Sequence, residues 1–279
     1  DAALGEHRAL QSARAADLPV FAFPGDPAAP DAVFPNNVFA TARPDARREP
    51  AGPLRLVVGR MRHAVRRREA GRGDIRRFFR DLGGAVEVDL SQQPHPCRLT
   101  GSLVIDRARG LGYCGLSERC DGAGARLMHD AFGLRATLLF DLAPGEYHAN
   151  VVLAVLAGRA VLVSPAGFAD PRIADAIAAL YAPHVVRLRP DQQAAYAGNA
   201  IALSEHRVWM SAGAAASLDP SQVQALAAAG FEVGQVPLAA IEAGGGSLRC
   251  CVAEVFCGRR PPGPGGPGMW VSSDPIHRF

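Results

Sequence analysis

An α/β fold of repeated units is the architecture this sequence predicts, on three observations. Short β-branched runs alternate with short helical stretches along most of the chain, and the same run–helix–run order recurs. With 279 residues and 48% apolar content the chain can bury a sizeable core, which sets disorder aside.

In chain order, Ala2 to Ala15 has helical composition, and Leu18 to Phe23 reads as a strand closed by a Pro-Gly-Asp-Pro turn. Strand, helix and strand follow at Leu54 to Gly59, Asp74 to Leu82 and Val86 to Leu90. A hairpin of Ser102 to Asp106 and Leu111 to Leu116 leads to a helix over Ala123 to Phe132. Further strands are expected at Ala136–Phe140, Val151–Leu156, Ala160–Val163, Val185–Leu188, Ala200–Leu203 and Val208–Ser211, with helices at Arg172–Tyr181 and Pro220–Ala229. The stretch Arg259 to Gly268, rich in Pro and Gly, supplies neither ladder donors nor a stable helix. The organisation read is therefore one catalytic domain over 1–258 and a tail over 259–279.

Formal net charge is +3, and every basic side chain other than histidine is arginine. The densest basic stretch, Arg60 to Arg80, alternates with apolar residues and lacks interleaved stacking aromatics. It reads as a solvated helix face, and no nucleic-acid partner is expected. The six cysteines form no CxxC pair and have no histidine at zinc-finger spacing. No nucleotide loop, dinucleotide fingerprint or metal-ligand cluster is present, so no cofactor is expected. No signal segment opens the chain, and no run of about 18 apolar residues could span a bilayer. A cytoplasmic protein with free thiols and no membrane partner is the expectation.

Two places carry chemistry. In Gly244-Gly245-Gly246-Ser247-Leu248-Arg249-Cys250, three glycines cost backbone entropy, which suits a loop that something must approach closely. A cysteine at its end, beside Arg249, is placed for thiolate chemistry. The alternative is a glycine turn before a buried strand, Cys251 to Phe256, whose cysteines merely pack. Cys251 competes with Cys250, because adjacent extended residues face opposite ways. His148, in Tyr147-His148-Ala149-Asn150 just before an apolar run, is placed for acid/base work near neutral pH. Taken singly, Asn36-Asn37 and Ser117-Glu118-Arg119 are ordinary turns.

Together these segments resemble one family. Asp31-Ala-Val-Phe-Pro-Asn-Asn37, Thr100-Gly-Ser-Leu-Val-Ile-Asp-Arg107, Leu116-Ser-Glu-Arg119, Tyr147-His-Ala-Asn-Val-Val152, Gly198-Asn199 and the Gly-rich run to Cys250 follow the order of arginine-deiminase-related penteins. The resemblance is closest to citrulline-utilisation hydrolases, which are similar to dimethylargininases, arginine deiminases and amidinotransferases. It spans about Leu18 to Phe256 and implies a five-bladed pseudosymmetric α/β propeller with a central active site. It also implies Cys250 as nucleophile, His148 as general acid/base, Arg119 on the substrate's α-carboxylate, and Asn36 and Asn37 on the reacting group. Asp31, Asn199 and Arg249 complete the expected substrate-binding set. The partner implied is a small amino-acid substrate, with a homodimer left open.

In dimethylargininases the two asparagine positions are acidic, which suits a guanidinium cation. Asparagine offers both donors and an acceptor, which suits a neutral ureido group. The sequence therefore favours citrulline, cleaved to ornithine, ammonia and carbon dioxide through a carbamoyl group on Cys250. The rivals are dimethylargininase or deiminase activity on a guanidinium, and a pentein binding protein that has lost turnover. Relatives place a glutamate four residues before the serine of the GTGS-like segment; here that position is Arg98, and Asp89 or Asp106 would have to replace it. The family's first strand, ahead of the opening helix, is not found in the sequence; residues upstream of Asp1 would account for it, and if the chain starts at Asp1 one blade is expected to be incomplete.

Overall fold

The computed structural model describes residues 2–15, 18–42 and 53–256. The expected domain boundary at 258, the tail 259–279 and Cys257 lie outside the described residues. Among the described residues there are four three-stranded sheets: β1 (Phe39–Ala42), β2 (Arg55–Val58) and β3 (Val86–Asp89); β4 (Leu103–Asp106), β5 (Leu111–Leu116) and β6 (Ala136–Asp141); β7 (Leu153–Leu156), β8 (Ala160–Val163) and β9 (Val185–Arg187); β10 (Ile201–Ala202), β11 (Arg207–Ser211) and β12 (Glu232–Val236). Every sheet has the same internal logic. Its first two strands pair antiparallel, and a helix then carries the chain over to a third strand parallel to the second. The crossover helices are Gly73–Gly83, Gly122–Phe132, Pro171–Ala179 and Pro220–Ala228.

Local chemistry sets the ends of these helices. Asp121 accepts the Gly124 N–H at 2.7 Å, while Asp219 and Gln222 form a reciprocal capping box. Gly84 and Gly133 close two of the helices at φ of 61° and 63°, where a Cβ would be strained.

The four units pack around a common axis, with apolar clusters formed where successive units meet. Leu99, Leu103 and Cys114 meet Ala40 and Val57 of the first unit; Val152, Val161 and Ile177 meet Tyr113 and Phe140; Leu156 and Leu162 meet Val208 and Met210. The helix Ala2–Ala15 and the segment 248–256 fill the fifth position, with no strand among the described residues. Leu10 packs with Leu248, Cys250, Cys251 and Trp209. The segment then reaches β1, where the Thr41 hydroxyl donates to the Glu254 carbonyl and accepts from the Phe256 amide, both at 2.9 Å. This contact closes the ring.

Each first strand is entered through a short buried turn, at Pro35–Asn37, Leu99–Ser102, Ala149–Val152 and residues 197–199, and residues 247–250 form a fifth such turn with no strand after it among the described residues. Polar groups link these turns in sequence. Thr100 Oγ1 donates to the Asn36 carbonyl at 3.2 Å, and Asn150 Nδ2 to the Thr100 carbonyl at 3.1 Å. Asn199 Nδ2 donates to the Asn150 carbonyl at 2.8 Å, and the Arg249 amide to the Asn199 carbonyl at 3.3 Å. The turns are packed so closely that a Cβ on Gly198 would sit 2.1 Å from the Val151 carbonyl oxygen.

Several expectations are corrected. Leu18–Phe23 is not a strand. Phe21 and Phe23 lie on Phe78 at ring separations of 4.8 and 5.3 Å, so their alternation serves aromatic packing on a helix rather than a ladder. Val151 and Val152 belong to a helical turn, and the strand begins at Leu153. Cys251 to Phe256 is not a strand either. The basic stretch is not uniformly solvated, since Arg66 is buried and pairs bidentately with Glu69 at 2.6 and 2.7 Å. Among the described residues no helix is long and apolar enough to cross a membrane.

Two outcomes test this packing. Gly198→Ala should lower stability by about 1–3 kcal/mol, read by thermal or urea denaturation, because backbone rather than a flexible side chain blocks the new methyl. Glu254 lies partly buried between Arg107 and Arg249 at 3.0 and 3.2 Å; burial raises its carboxyl, and those two guanidinium groups outweigh it and hold the group below the ordinary value of 4.5. Its contribution is complete above that value and fades as pH falls below it. Glu254→Gln should cost roughly 1–3 kcal/mol at neutral pH and flatten the acid limb of the stability profile.

Candidate active site

Cys250 sits in the last turn of the ring, its sulfur held by two asparagines from neighbouring turns. Asn199 Nδ2 lies 3.4 Å from Sγ and Asn150 Nδ2 3.8 Å, while the Cys250 amide donates to Asn199 Oδ1 at 3.4 Å. Burial pushes the thiol above its ordinary value, opposed by the hydrogen bonds from Asn199, the Ser247 turn and Asn150 and by the charge of Arg249. The neighbouring Cys251 lies in the apolar cluster, and burial together with the Cys250 charge raises it much further. Of the two thiols, Cys250 is therefore the one equipped for ionisation.

His148 caps the Ala149–Val152 turn and is 2% exposed. The turn it begins also carries Asn150, so the ring that holds the sulfur holds the imidazole. Its Nδ1 has no protein partner among the described residues, and its Nε2 faces Arg98 Nη1 at 3.4 Å. Burial drives the imidazole well below its ordinary value, and Arg98, Arg119 and Arg66 push in the same direction. It is a neutral base at rest. Gly101 leaves room beside the ring: a Cβ there would lie 3.1 Å from His148 Cε1 and 2.1 Å from Asn37 Oδ1.

Asn36 and Asn37 are both buried. Neither polar atom of the Asn36 side chain has a partner among the described residues, nor does Asn37 Oδ1, which leaves donors and acceptors available to a bound molecule. Arg119 stands over the Tyr147 ring at 5.2 Å, and the Tyr147 hydroxyl reaches across to the Gly245 carbonyl at 2.8 Å. Gly245 takes φ of +86°, which explains one of the three glycines.

The remaining expected residues are placed differently. Asp31 is half exposed and lies 3.6 Å from Arg66. Asn199 contacts the Cys250 sulfur and the adjoining Asn150 carbonyl. The Arg249 side chain turns to the Val252 carbonyl and Glu254. Asp106 is committed to Tyr181 and Arg109, and Asp89 to Arg76 and Ser91, so neither reaches His148. Asn150 was missed by sequence reasoning, although its place immediately before the apolar run matches that of Asn37 and Asn199 in their own repeats.

Repeated mixed three-stranded units, whose central turns carry His148 on one and Cys250 on another, place the chain among the guanidine-modifying enzymes of the pentein superfamily. A family model described as "N,N dimethylarginine dimethylhydrolase, eukaryotic" matches residues 1–257, and the chain belongs to that family. No curated protein matches the sequence. Among solved structures, the N-terminal domain of ArgZ, an arginine dihydrolase from the ornithine–ammonia cycle in cyanobacteria, is similar over 92% of this chain and 87% of its own, at 19% identity and TM-score 0.77. AgrE in complex with ornithine and NAD+ is similar at 20% identity and TM-score 0.76, over 94% of this chain and 35% of its own. A dimethylarginine dimethylaminohydrolase variant in an adduct with S-methyl-L-thiocitrulline follows at 20% identity and TM-score 0.69, over 90% of this chain and 87% of its own. The family supports a guanidino substrate rather than the citrulline expected from the sequence.

Asn199→Ala removes the nearer donor to sulfur and leaves the Asn150 carbonyl without it. Alkylation of Cys250 should shift to higher pH, and stability should fall by about 1–3 kcal/mol. The pH–rate profile of mass-mapped alkylation and a melting curve check both.

Proposed function

We propose that this chain hydrolyses a C–N bond at the guanidino end of an arginine-like amino acid, with Cys250 as nucleophile and His148 as proton carrier. The observation that supports this best is the shared scaffold, in which Asn150 belongs to the turn capped by His148 and also touches the Cys250 sulfur. In the reaction, His148 takes the thiol proton as sulfur bonds to the central guanidino carbon. The bond from that carbon to the departing nitrogen breaks, and the proton leaves with the amine. Water, losing a proton to His148, then adds to the carbon; the C–S bond breaks, and the thiol regains its proton from the imidazole. The products are an amine and a ureido compound. Arg119 is assigned to the substrate's α-carboxylate, and Asn36 and Asn37 to the reacting group. A cationic substrate also helps ionise a thiol that burial has raised.

The unpartnered asparagines favour a second reading, in which the reacting group is ureido and citrulline is the substrate. Cys250→Ala should abolish turnover with an unchanged melting temperature, while Cys251→Ala should retain it. Retained turnover in Cys250→Ala rejects the mechanism. Ammonia or amine release from arginine, methylated arginines and citrulline separates the two readings, because consumption of citrulline alone selects the second.

A further inference from the structure

Arg98 begins the Leu99–Ser102 turn and is 2% exposed, yet it forms no ion pair among the described residues. The acids around the site are held by other arginines: Glu69 and Asp31 by Arg66, and Glu118 by Arg62 and Arg119. Arg98 Nε has no hydrogen-bond partner, and Nη1 faces His148 Nε2. Burial, reinforced by Arg119 and Arg66, lowers this guanidinium to about 9, so it still carries its charge at neutral pH.

A guanidinium has donors alone, so the imidazole nitrogen it meets must accept, and the proton of neutral His148 lies on Nδ1. Any proton taken from Cys250 must go to that same Nε2, which requires Arg98 to release it and leaves an imidazolium beside an uncompensated guanidinium. An anion that draws the Arg98 guanidinium onto itself frees Nε2 and offsets the charge. Asn36, whose carbonyl is bonded to the turn that Arg98 begins, has a buried amide with both polar atoms unpartnered. Both features belong to a site completed by a ligand.

We propose that Arg98 forms an anion-binding position for a carboxylate-sized oxyanion, and that this anion must be in place before His148 takes the thiol proton. The proposal rests on the Cys250–His148 reading above and adds a condition to it. A guanidinium reacts here only with an anion at Arg98, whether that anion is carried by the reacting molecule or drawn from solution.

The test is alkylation of Cys250 in the full chain by iodoacetate and iodoacetamide at matched ionic strength, located by mass mapping. The iodoacetate-to-iodoacetamide rate ratio should fall about tenfold in Arg98→Gln and persist in Arg98→Lys, which keeps the charge. An unchanged ratio in a folded Arg98→Gln overturns the proposal. No alkylation of Cys250 by either reagent rejects the nucleophile itself, and the anion position with it. Replacing chloride with acetate identifies the source. Acceleration of the iodoacetamide reaction in the wild type but not in Arg98→Gln supports a free anion, whereas an iodoacetate preference without acceleration supports an anion on the reacting molecule.

Discussion

The structure depends on a chain of buried hydrogen bonds that joins one central turn to the next. Four of these turns each precede the first strand of a unit, so the bonds from Thr100, Asn150 and Asn199 set how closely neighbouring units approach. Groups this deep must be satisfied or they cost more than they contribute, so the links are cooperative with the packing around them. The close approach at Gly101 and Gly198 follows from the same constraint. Cys250 and His148, about a hundred positions apart in the sequence, both ride on these turns, and Asn150 links the turn of one to the sulfur of the other.

Charge is the second organising theme. The charges of Arg98, Arg119 and Arg66 all act on the imidazole, and the carboxylates of Glu69 and Glu118 are paired with arginines, Glu69 with Arg66 and Glu118 with Arg62. The resting site therefore holds a neutral thiol and a neutral imidazole. Neither group carries charge at rest, and a cation placed between them would favour ionisation of the thiol.

Much of this was legible in the sequence. The recurrence of short apolar runs and crossover helices exposed the repeated α/β architecture, because period and spacing are local properties. Cys250 and His148 stood out through the glycine run and the strand-edge position. What escaped depended on tertiary partners. Phe39–Ala42, with two alanines in four residues, is a strand because β2 pairs with it and its burial is complete, whereas Leu18–Phe23 has the better propensity and no ladder to join. Asn150 carried no assignment in the sequence, and Arg249, expected in the substrate-binding set, turns its side chain to the Val252 carbonyl and Glu254. The placement of Arg98 against His148 vindicated attention to that position but not the search for a substitute acid among Asp89 and Asp106.

The dual employment of Asn150 and Asn199 has a consequence for how such chains diverge. Both side chains brace adjacent repeats while touching the sulfur, so a copy that abandoned catalysis would still be obliged to keep them in order to fold. The Asn36 side chain, Asn37 Oδ1 and Arg98 Nε make no such brace. Exchanging those side chains would change what the centre can hold while sparing the bonds that join one repeat to the next.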